Sequence, residues 1–296
     1  MDIISINPRR RKTVQYGKSG NKKAGMKRTG GIRGEEAKII QVMPDMPMRD
    51  NFIVLMAGGK GSRLRPLTDE IPKPMLKVGD KPILEIIINQ FRSFGFKNFI
   101  VSISYLAHIV EGYFGDGSDY GVSISYIRET KRLGTAGCLK LAKQYLNKPF
   151  YVMNGDLLAN IDFKDMLGFH IENGFDITMG IRKYQYRIPY GVVETDGNRV
   201  AGLVEKPVNS CTINAGVYCL NPGVIEYISG NEYFDITTLV DTCIQKGGRA
   251  GGYDIKGYWT DIGQIEDYNR ANLDYGYSFK DDAVLKSKNE KIFINR

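Results

Sequence analysis

The sequence predicts an α/β protein with a mostly parallel sheet, helices on both faces of that sheet and a smaller β-rich part. Three observations support this class. From Asn51 onward, short apolar runs alternate with segments of helical spacing, as they do in βαβ units. The first run, Phe52–Ala57, is apolar throughout and ends at Gly58 and Gly59, which is typical of a strand buried on both faces. The 296 residues are 42% hydrophobic and 25% charged, a balance typical of globular proteins.

Strands and helices alternate in the first part of this pattern. They are predicted, in chain order, at Phe52–Ala57, Ile83–Phe94, Phe99–Ser104, Leu106–Phe114, Val122–Ile127, Thr135–Leu146, Phe150–Met153 and Asp162–Glu172, beginning with a strand. The strands are continuous apolar runs, whereas the helices repeat apolar residues every three or four positions. In the first helix Ile83, Ile87 and Phe91 share a face, and Gly95 ends the pattern.

The pattern becomes β-rich after Glu172. Strands are predicted at Asp176–Ile181, Tyr190–Thr195, Val200–Glu205 and Thr212–Leu220, then a helix at Ile236–Lys246, a strand at Ala250–Tyr253 and a helix at Ile265–Asp274. Asp196, Gly197 and Asn198 provide a turn signal between two of these strands. We therefore expect a smaller β-rich part beside the main sheet.

The positive charge of the chain is concentrated at one end. Residues 1–34 hold ten Lys and Arg but one acid, while the rest of the chain holds 31 basic and 32 acidic residues. Such a segment, without apolar periodicity, buries too little surface to offset the entropy of ordering. We predict a disordered basic arm at 1–34, a linker at 35–50, a single domain at 51–275 and a C-terminal tail at 276–296.

Several classes of protein are disfavoured. No run approaches the roughly 18 apolar residues of a membrane span, and the N-terminus lacks the order of a secretory signal, so we expect a cytoplasmic chain without a membrane partner. Specific nucleic-acid binding is not expected, because the body outside the basic arm is close to neutral. Disulfides and structural zinc are not expected either, since the cysteines lack paired spacing; they are Cys138, Cys211, Cys219 and Cys243.

A glycine-rich segment, Ala57–Leu64, follows the first strand. Gly58, Gly59 and Gly61 would let backbone N–H groups approach a polyphosphate without obstruction by Cβ atoms. Arg63 adds a cation to the same segment. The spacing is neither that of a P-loop nor that of a dinucleotide-binding turn. Taken alone, the segment is equally well explained as a structural turn between a strand and a helix.

Two isolated acids and one constrained lysine also stand out. Asp156 follows the apolar strand at Phe150–Met153, and Asp261 lies between the only tryptophan and an apolar residue. Mg²⁺ is usually held by one or two carboxylates together with substrate phosphates. Lys73 lies between two prolines, which restrict the backbone and suit a charge with a fixed target. Considered singly, each acid is more often a cap or turn residue, and the lysine a solvated one.

Together these segments resemble the sugar-phosphate nucleotidyltransferases, or nucleoside-diphosphate-sugar pyrophosphorylases, over about residues 51–275. The segments are, in order, AGGKGSRLRPLT, IPKPML, GDKPILE, RETKRLGTAG, NGD, PYGVVE, EKP, INAGVY and WTDIG. The resemblance implies a Rossmann-like, glycosyltransferase-A-like fold with a sugar-binding β-rich part. It also implies a reaction in which a sugar 1-phosphate attacks the α-phosphorus of a nucleoside triphosphate (NTP) and expels pyrophosphate.

The resemblance further implies roles for individual residues. The nucleotide would be bound by Ala57, Gly58, Gly59, Gly61, Ser62, Glu129, Gly134 and Thr135, and the sugar phosphate by Gly191, Glu205, Lys206 and Asn214. The catalytic cations would be Arg63, Lys73 and Lys206, and Mg²⁺ would be held by Asp156 and Asp261.

Glu129 indicates which base is used. Guanine presents two parallel N–H donors that suit a carboxylate, whereas uracil and thymine present an edge that suits an amide. Relatives with Glu four positions ahead of LGTAG are often guanylyltransferases of the mannose-1-phosphate type, so we expect GTP and a hexose 1-phosphate. Uridylyl, thymidylyl or cytidylyl transfer, a catalytically silent nucleotide-sugar-binding relative and a glycosyltransferase of related fold stay open. The sequence identifies neither the sugar nor a homo-oligomeric state.

Overall fold

The computed structural model describes residues 49–230 and 232–278. The predicted arm, and most of the predicted linker and tail, lie outside these described residues. Among the described residues, β1 begins at Arg49 and the last helix runs to Ser278.

Thirteen strands and six α-helices occur within the described ranges. The strands are β1 (Arg49–Met56), β2 (Lys77–Val78), β3 (Lys81–Pro82), β4 (Phe96–Ile103), β5 (Ser123–Arg128), β6 (Phe150–Asn154), β7 (Leu157–Ala159), β8 (Ile177–Arg187), β9 (Val192–Asp196), β10 (Arg199–Val204), β11 (Val208–Leu220), β12 (Ala250–Asp254) and β13 (Trp259–Asp261). The helices are α1 (Ile83–Ser93), α2 (Ala107–Phe114), α3 (Leu139–Ala142), α4 (Phe163–Glu172), α5 (Ile236–Gln245) and α6 (Ile265–Ser278). No helix among the described residues is long and apolar enough to cross a membrane.

Seven strands form the central sheet, in the order β12-β8-β11-β6-β1-β4-β5. Pairing is parallel between β6 and β1, β1 and β4, β4 and β5, and β8 and β12. β11 is antiparallel to both of its neighbours, β6 and β8. A single strand therefore runs against the other six, and the predicted mostly parallel α/β fold is confirmed. The carboxyl ends of β1, β5 and β6 meet at one edge of the sheet, where ligands bind in open α/β folds.

The two faces of the sheet pack against separate hydrophobic cores. Ile53 and Leu55 of β1 point into the core shared with α1, α2 and α4, whereas Val54 points into the core shared with α3 and α5. This alternation follows from the two-residue repeat of a strand. Full burial of such side chains stabilises the fold by roughly 1.5–3 kcal/mol each, and helices on both faces follow from the need to cover both apolar surfaces.

An aromatic cluster joins α1 and α4 to the sheet. The rings of Phe91 and Phe163 are stacked with centroids 3.7 Å apart, and Phe91 also meets Tyr151 of β6 edge to face at 5.3 Å. The Tyr151 hydroxyl donates a hydrogen bond to the Phe163 carbonyl at 2.6 Å. Burial raises the pKa of Tyr151 well above its ordinary value, so this hydroxyl stays a donor.

The predicted helix at Thr135–Leu146 is wrong in extent. α3 spans only Leu139–Ala142 and is followed by a short 3-10 turn. The N–H groups of Ala136 and Gly137 donate to the carbonyl of Phe234 at 2.9 and 3.1 Å instead of starting a helix. Contact with a distant segment therefore overrides the local helical spacing.

The β-rich part also extends beyond the predicted ranges. β8 continues to Arg187 and pairs there with Val208 at the start of β11. The ribbon of β8 and β11 thus leaves the main sheet, and the β9–β10 hairpin lies at its end. A hydrogen bond of 3.0 Å from the Ile188 N–H to the Pro207 carbonyl closes the base of that hairpin.

Replacement of Phe91 by Ala is expected to lower the free energy of unfolding by about 3–5 kcal/mol, because it opens a cavity inside the aromatic cluster. Urea denaturation measures this change. Ile171→Ala on α4 is the control, since that side chain is 58% exposed and its loss should cost less than about 1 kcal/mol. Equal losses for the two variants would contradict this assignment of the core.

Candidate active site

A cleft of about 250 Å³ opens at the carboxyl ends of β1, β5 and β6. Its walls come from the loop after β1, the segment around Lys73, the end of β6, the loop after β5 and the segment before α5. The lining residues are Met56, Gly58, Gly59, Lys73, Pro74, Ser104, Glu129, Arg132, Gly134, Thr135, Asn154, Asp156, Tyr233 and Asp235. Six residues predicted to bind nucleotide, phosphate or metal therefore line the same cleft as Glu129, which is predicted to bind the base.

Hydrogen bonds to neighbouring segments fix the glycine-rich loop after β1. The Ala57 N–H donates to the Ser102 carbonyl at 2.8 Å, and the Thr68 hydroxyl donates to the Gly61 carbonyl at 2.8 Å. Gly61 has a φ of +61°, and a Cβ there would lie 3.0 Å from the side chains of both Thr68 and Lys73. Glycine is therefore required at this position by the backbone angle and by the close approach of Lys73.

Within this loop only Gly58 and Gly59 border the cleft. A Cβ at Gly59 would meet no atom within 4 Å, so its backbone faces open space. Ala57 is buried behind them, while Ser62 and Arg63 lie in an exposed 3-10 turn. A Cβ at Gly263 would lie 4.0 Å from the Arg63 guanidinium, which places Arg63 beside the segment that carries Asp261.

Lys73 joins the two predicted metal-binding acids. Its ammonium forms a short ion pair with the Asp156 carboxylate and lies 3.8 Å from Oδ1 of Asp261. Pro72 and Pro74 flank the lysine, whose residue is only 9% exposed. Asp156 and Asp261 are 105 positions apart in the sequence, and the structure brings both to one ammonium.

Two short strands bring the acids together. β7 begins directly after Asp156, and β13 ends at Asp261, which pairs with Leu157 in an antiparallel arrangement. The Ile262 N–H also donates to the Asp156 carbonyl at 3.2 Å. Sequence analysis did not predict either strand, because three residues are too few to show a periodic pattern.

The cluster carries more negative charge than Lys73 neutralises. Desolvation, followed by the charge of Asp156, raises the pKa of the Asp261 carboxyl above its ordinary value, while Lys73 and Arg63 oppose the rise. Oδ1 of Asp156 is buried and accepts no hydrogen bond. A buried acceptor without a partner is costly, so a further cation at this position would be stabilised.

The cluster fits a divalent cation that is shared with a phosphate ligand. Mg²⁺ is usually bound by one or two carboxylates plus substrate phosphates, and it retains several waters. The unpartnered oxygen of Asp156 and the adjacent Asp261 carboxylate provide such ligands. In the described parts of the chain, no group of three or more His, Cys, Asp or Glu side chains is arranged to hold a metal by itself. The role of the two acids in metal binding stays a prediction.

Glu129 borders the cleft and also holds the loop that follows it. The Ser102 hydroxyl donates to one carboxylate oxygen at 2.6 Å, and the Leu133 N–H donates to the other at 3.1 Å. One lone pair of each oxygen is thereby used within the protein. The predicted role of Glu129 in reading the base is untested by this geometry, and an additional structural role is evident.

Seven of the fourteen cleft residues were not predicted as site residues: Met56, Pro74, Ser104, Arg132, Asn154, Tyr233 and Asp235. Asp235 accepts hydrogen bonds from the Thr135 N–H and hydroxyl at 3.2 and 3.3 Å. In the sequence Asp235 stands directly before a helical pattern, where Asp is a common N-cap. A capping role was sufficient to explain Asp235, so the sequence contained no signal that marked it as a cleft residue.

The residues predicted to bind the sugar phosphate lie outside the cleft walls. Gly191 and Glu205 are adjacent, because a Cβ at Gly191 would lie 2.9 Å from Glu205 Oε2. Lys206 has a left-handed φ of +46°, and its ammonium lies 3.7 Å from Oε1 of Glu205. These residues belong to the exposed β9–β10 region at the end of the ribbon.

Asn214 lies between that region and the cleft. It stands at a bulge in β11, where its side-chain carbonyl accepts the Gly216 N–H at 2.9 Å. A Cβ at Gly216 would lie 3.0 Å from Nδ2 of Asn154, a cleft residue. The Trp259 indole N–H donates to the Ala215 carbonyl at 2.9 Å, so the bulge is also tied to the strand that carries Asp261.

Comparison with known proteins identifies related sequences. Residues 53–277 match the family described as nucleotidyl transferase. The mannose-1-phosphate guanyltransferase of Yarrowia lipolytica is 34% identical over 225 residues, 73% of this chain and 61% of that protein. The UTP--glucose-1-phosphate uridylyltransferase of Synechocystis is 35% identical over 238 residues, 74% of this chain and 61% of that protein. The chain thus spans 61% of the length of these curated relatives.

Solved structures share the fold. HddC from Yersinia pseudotuberculosis superposes with a TM-score of 0.61 and 28% sequence identity, over 76% of this chain and 99% of HddC. A second structure of HddC, complexed with GMP-PN, gives the same values. The shared region therefore corresponds to nearly all of HddC.

Lys73→Met is expected to lower the free energy of unfolding by about 3–5 kcal/mol, because it leaves two carboxylates together without a cation. The double variant Lys73→Met with Asp156→Asn should recover part of this loss, since the repulsion is relieved. Urea denaturation measures all of these changes. Lys77→Met, at an exposed lysine nearby, is the control. Additive losses in the double variant would show that the ion pair is not the dominant interaction.

Proposed function

Because the chain belongs to the nucleotidyl transferase family, we propose that it transfers a nucleotidyl group from an NTP to a hexose 1-phosphate, with release of pyrophosphate. GTP is the proposed nucleotide and Mg²⁺ the proposed metal. The observation that carries the proposal is the shared cleft. Gly58 and Gly59 of the glycine-rich loop, Lys73 with Asp156, and Gly134 with Thr135 line the same cavity.

The reaction suits these residues chemically. An oxygen of the sugar 1-phosphate forms a bond to the α-phosphorus of the NTP, and the bond from that phosphorus to the bridging oxygen of pyrophosphate breaks. Such a displacement needs positioning and charge neutralisation more than covalent catalysis. The backbone N–H groups of Gly58 and Gly59 would bind phosphate oxygens, and Arg63 and Lys73 would neutralise the departing pyrophosphate.

Asp156 and Asp261 would hold the metal. Bound Mg²⁺ would neutralise phosphate charge and polarise the reacting phosphate. Gly191, Glu205 and Asn214 would bind the sugar hydroxyls, and Lys206 would bind the sugar phosphate. The β9–β10 region lies outside the cleft walls. These side chains would therefore reach the sugar phosphate from the side of the cleft on which the bulge at Asn214 lies.

Three findings support GTP. Glu129 borders the cleft, and its carboxylate would accept the two N–H donors of guanine. The Yarrowia lipolytica relative is a guanyltransferase, and HddC has been solved in complex with GMP-PN. UTP is the second candidate, because the Synechocystis relative of equal similarity is a uridylyltransferase.

A matrix of NTPs against sugar 1-phosphates, with Mg²⁺ and a pyrophosphate-release assay, tests this function. GTP is expected to give at least about tenfold higher kcat/KM than UTP, since a satisfied pair of hydrogen bonds to the correct base is worth about 1.4 kcal/mol or more. Mannose 1-phosphate and amino-sugar 1-phosphates are the first acceptors to test. A preference for UTP would overturn the choice of base, and no pyrophosphate release with any pair would overturn the function.

Asp156→Asn is expected to lower kcat at least about a hundredfold, because the electrostatic stabilisation of the transition state is lost with the metal. The measurement is turnover over a range of Mg²⁺ concentrations. Asp119→Asn, an exposed aspartate in the turn before β5, is the matched control. Turnover near that of the wild type at saturating Mg²⁺ would contradict the assignment of Asp156.

A further inference from the structure

We propose that Asp235 is a positioning residue for nucleotide binding, which fixes the loop at Gly134 and Thr135 in the shape that receives the nucleotide. This inference rests on the proposed function, because it concerns the same cleft. Asp235 lies just before α5, one hundred positions after Thr135, and both residues line the cavity. The loop therefore depends on a contact that is distant in the sequence.

The backbone of the loop is bound to the segment before α5. The Phe234 N–H donates to the Leu133 carbonyl at 2.9 Å, and the Phe234 carbonyl accepts the Ala136 and Gly137 N–H groups at 2.9 and 3.1 Å. These bonds replace the first turn of the helix that the local sequence favours. The two segments thus form one unit at the edge of the cleft.

Asp235 completes this unit with its side chain. Oδ1 accepts both the N–H and the hydroxyl of Thr135 at 3.2 and 3.3 Å, and Oδ2 accepts the Tyr233 hydroxyl at 2.8 Å. The Thr135 hydroxyl in turn accepts the Ile236 N–H at 2.8 Å. The loop and the start of α5 are therefore cross-linked in both directions.

Asp235 differs from most aspartates at the start of a helix in the partner of its side chain. Asp235 is the N-cap of α5, yet its side chain makes no hydrogen bond to the N–H groups of that helix. An N-cap Asp normally stabilises its own helix by about 1 kcal/mol through such a bond. Here the carboxylate instead accepts hydrogen bonds from Thr135, so it stabilises the cleft wall.

The packing around Gly134 shows how closely the loop is held. Gly134 has a φ of +74°, and a Cβ there would lie 2.7 Å from the Phe234 carbonyl and 2.9 Å from Oδ1 of Asp235. Only glycine therefore allows this close approach of the loop to the segment before α5, and the hydrogen bonds of Asp235 oppose movement of the loop away from it. A wall fixed in this way reduces the ordering cost of ligand binding.

Calorimetric titration with GTP and Mg²⁺, in the absence of sugar phosphate, tests the inference. Asp235→Ala and Thr135→Val each remove the link, and each is expected to raise the Kd for GTP about tenfold, because binding must then order the released loop. Thr135→Ser keeps the hydroxyl and should stay within about twofold of the wild type. Asp241→Ala, at an exposed acid on the same helix, is the matched control.

Steady-state kinetics separate positioning from a general loss of structure. In the two variants that break the link, KM for the NTP should rise while KM for the sugar 1-phosphate stays within about twofold. The double variant Asp235→Ala with Thr135→Val should bind GTP no more weakly than either single variant, because both break the same link.

The outcomes distinguish this inference from the proposed function. If the wild type binds neither GTP nor UTP, the proposed function fails and the inference fails with it. If the wild type binds GTP and both variants bind it equally well, only the inference fails. Equal rises in KM for the two substrates would also overturn it. Should Asp235→Ala not fold, the comparison of Thr135→Val with Thr135→Ser decides the matter.

Discussion

The attraction between one ammonium and two carboxylates organises this protein. Lys73 is nearly buried, and it meets Asp156 after β6 and Asp261 at the end of β13. Two carboxylates side by side in a partly desolvated setting repel each other, and the ammonium of Lys73 stabilises their ionised forms. The prolines around Lys73, the pairing of β7 with β13 and the position of the glycine-rich loop against Lys73 all serve to keep these three groups together.

The last described helix, α6, also links the segment of Lys73 to the segment of Asp261. Asn272 of α6 accepts the Gly79 N–H at 3.1 Å, and the Tyr268 hydroxyl donates to the Lys77 carbonyl at 2.7 Å. α6 follows the strand of Asp261, while Lys77 and Gly79 follow the segment of Lys73. The helix therefore connects the segment that carries Lys73 to the segment that carries Asp261, through contacts outside the charged cluster.

The sequence was most informative where a residue's role is local or repeated. Continuous apolar runs identified the sheet strands because burial on both faces leaves a simple pattern. The helix expected at Thr135–Leu146 was too long, since its first turn is bonded to a segment a hundred residues away. Asp235 was not predicted as a cleft residue because its partner, Thr135, is a hundred residues away. Its position before a helix was also sufficient to explain it as an N-cap. The strand pair of Leu157–Ala159 and Trp259–Asp261 was too short for any periodicity. Each of these cases depends on contacts that only the folded chain provides.

The reversed direction of β11 has a consequence for how this architecture can diversify. Because β8 leaves the sheet and β11 returns to it at the same edge, residues 188–207 form an appendage that begins and ends at one point. Changes in the length or composition of such an appendage leave the register of the seven strands untouched. Such a change would alter the surface beside the bulge at Asn214, while the positions of Lys73, Asp156 and Asp261 in the cleft stay the same.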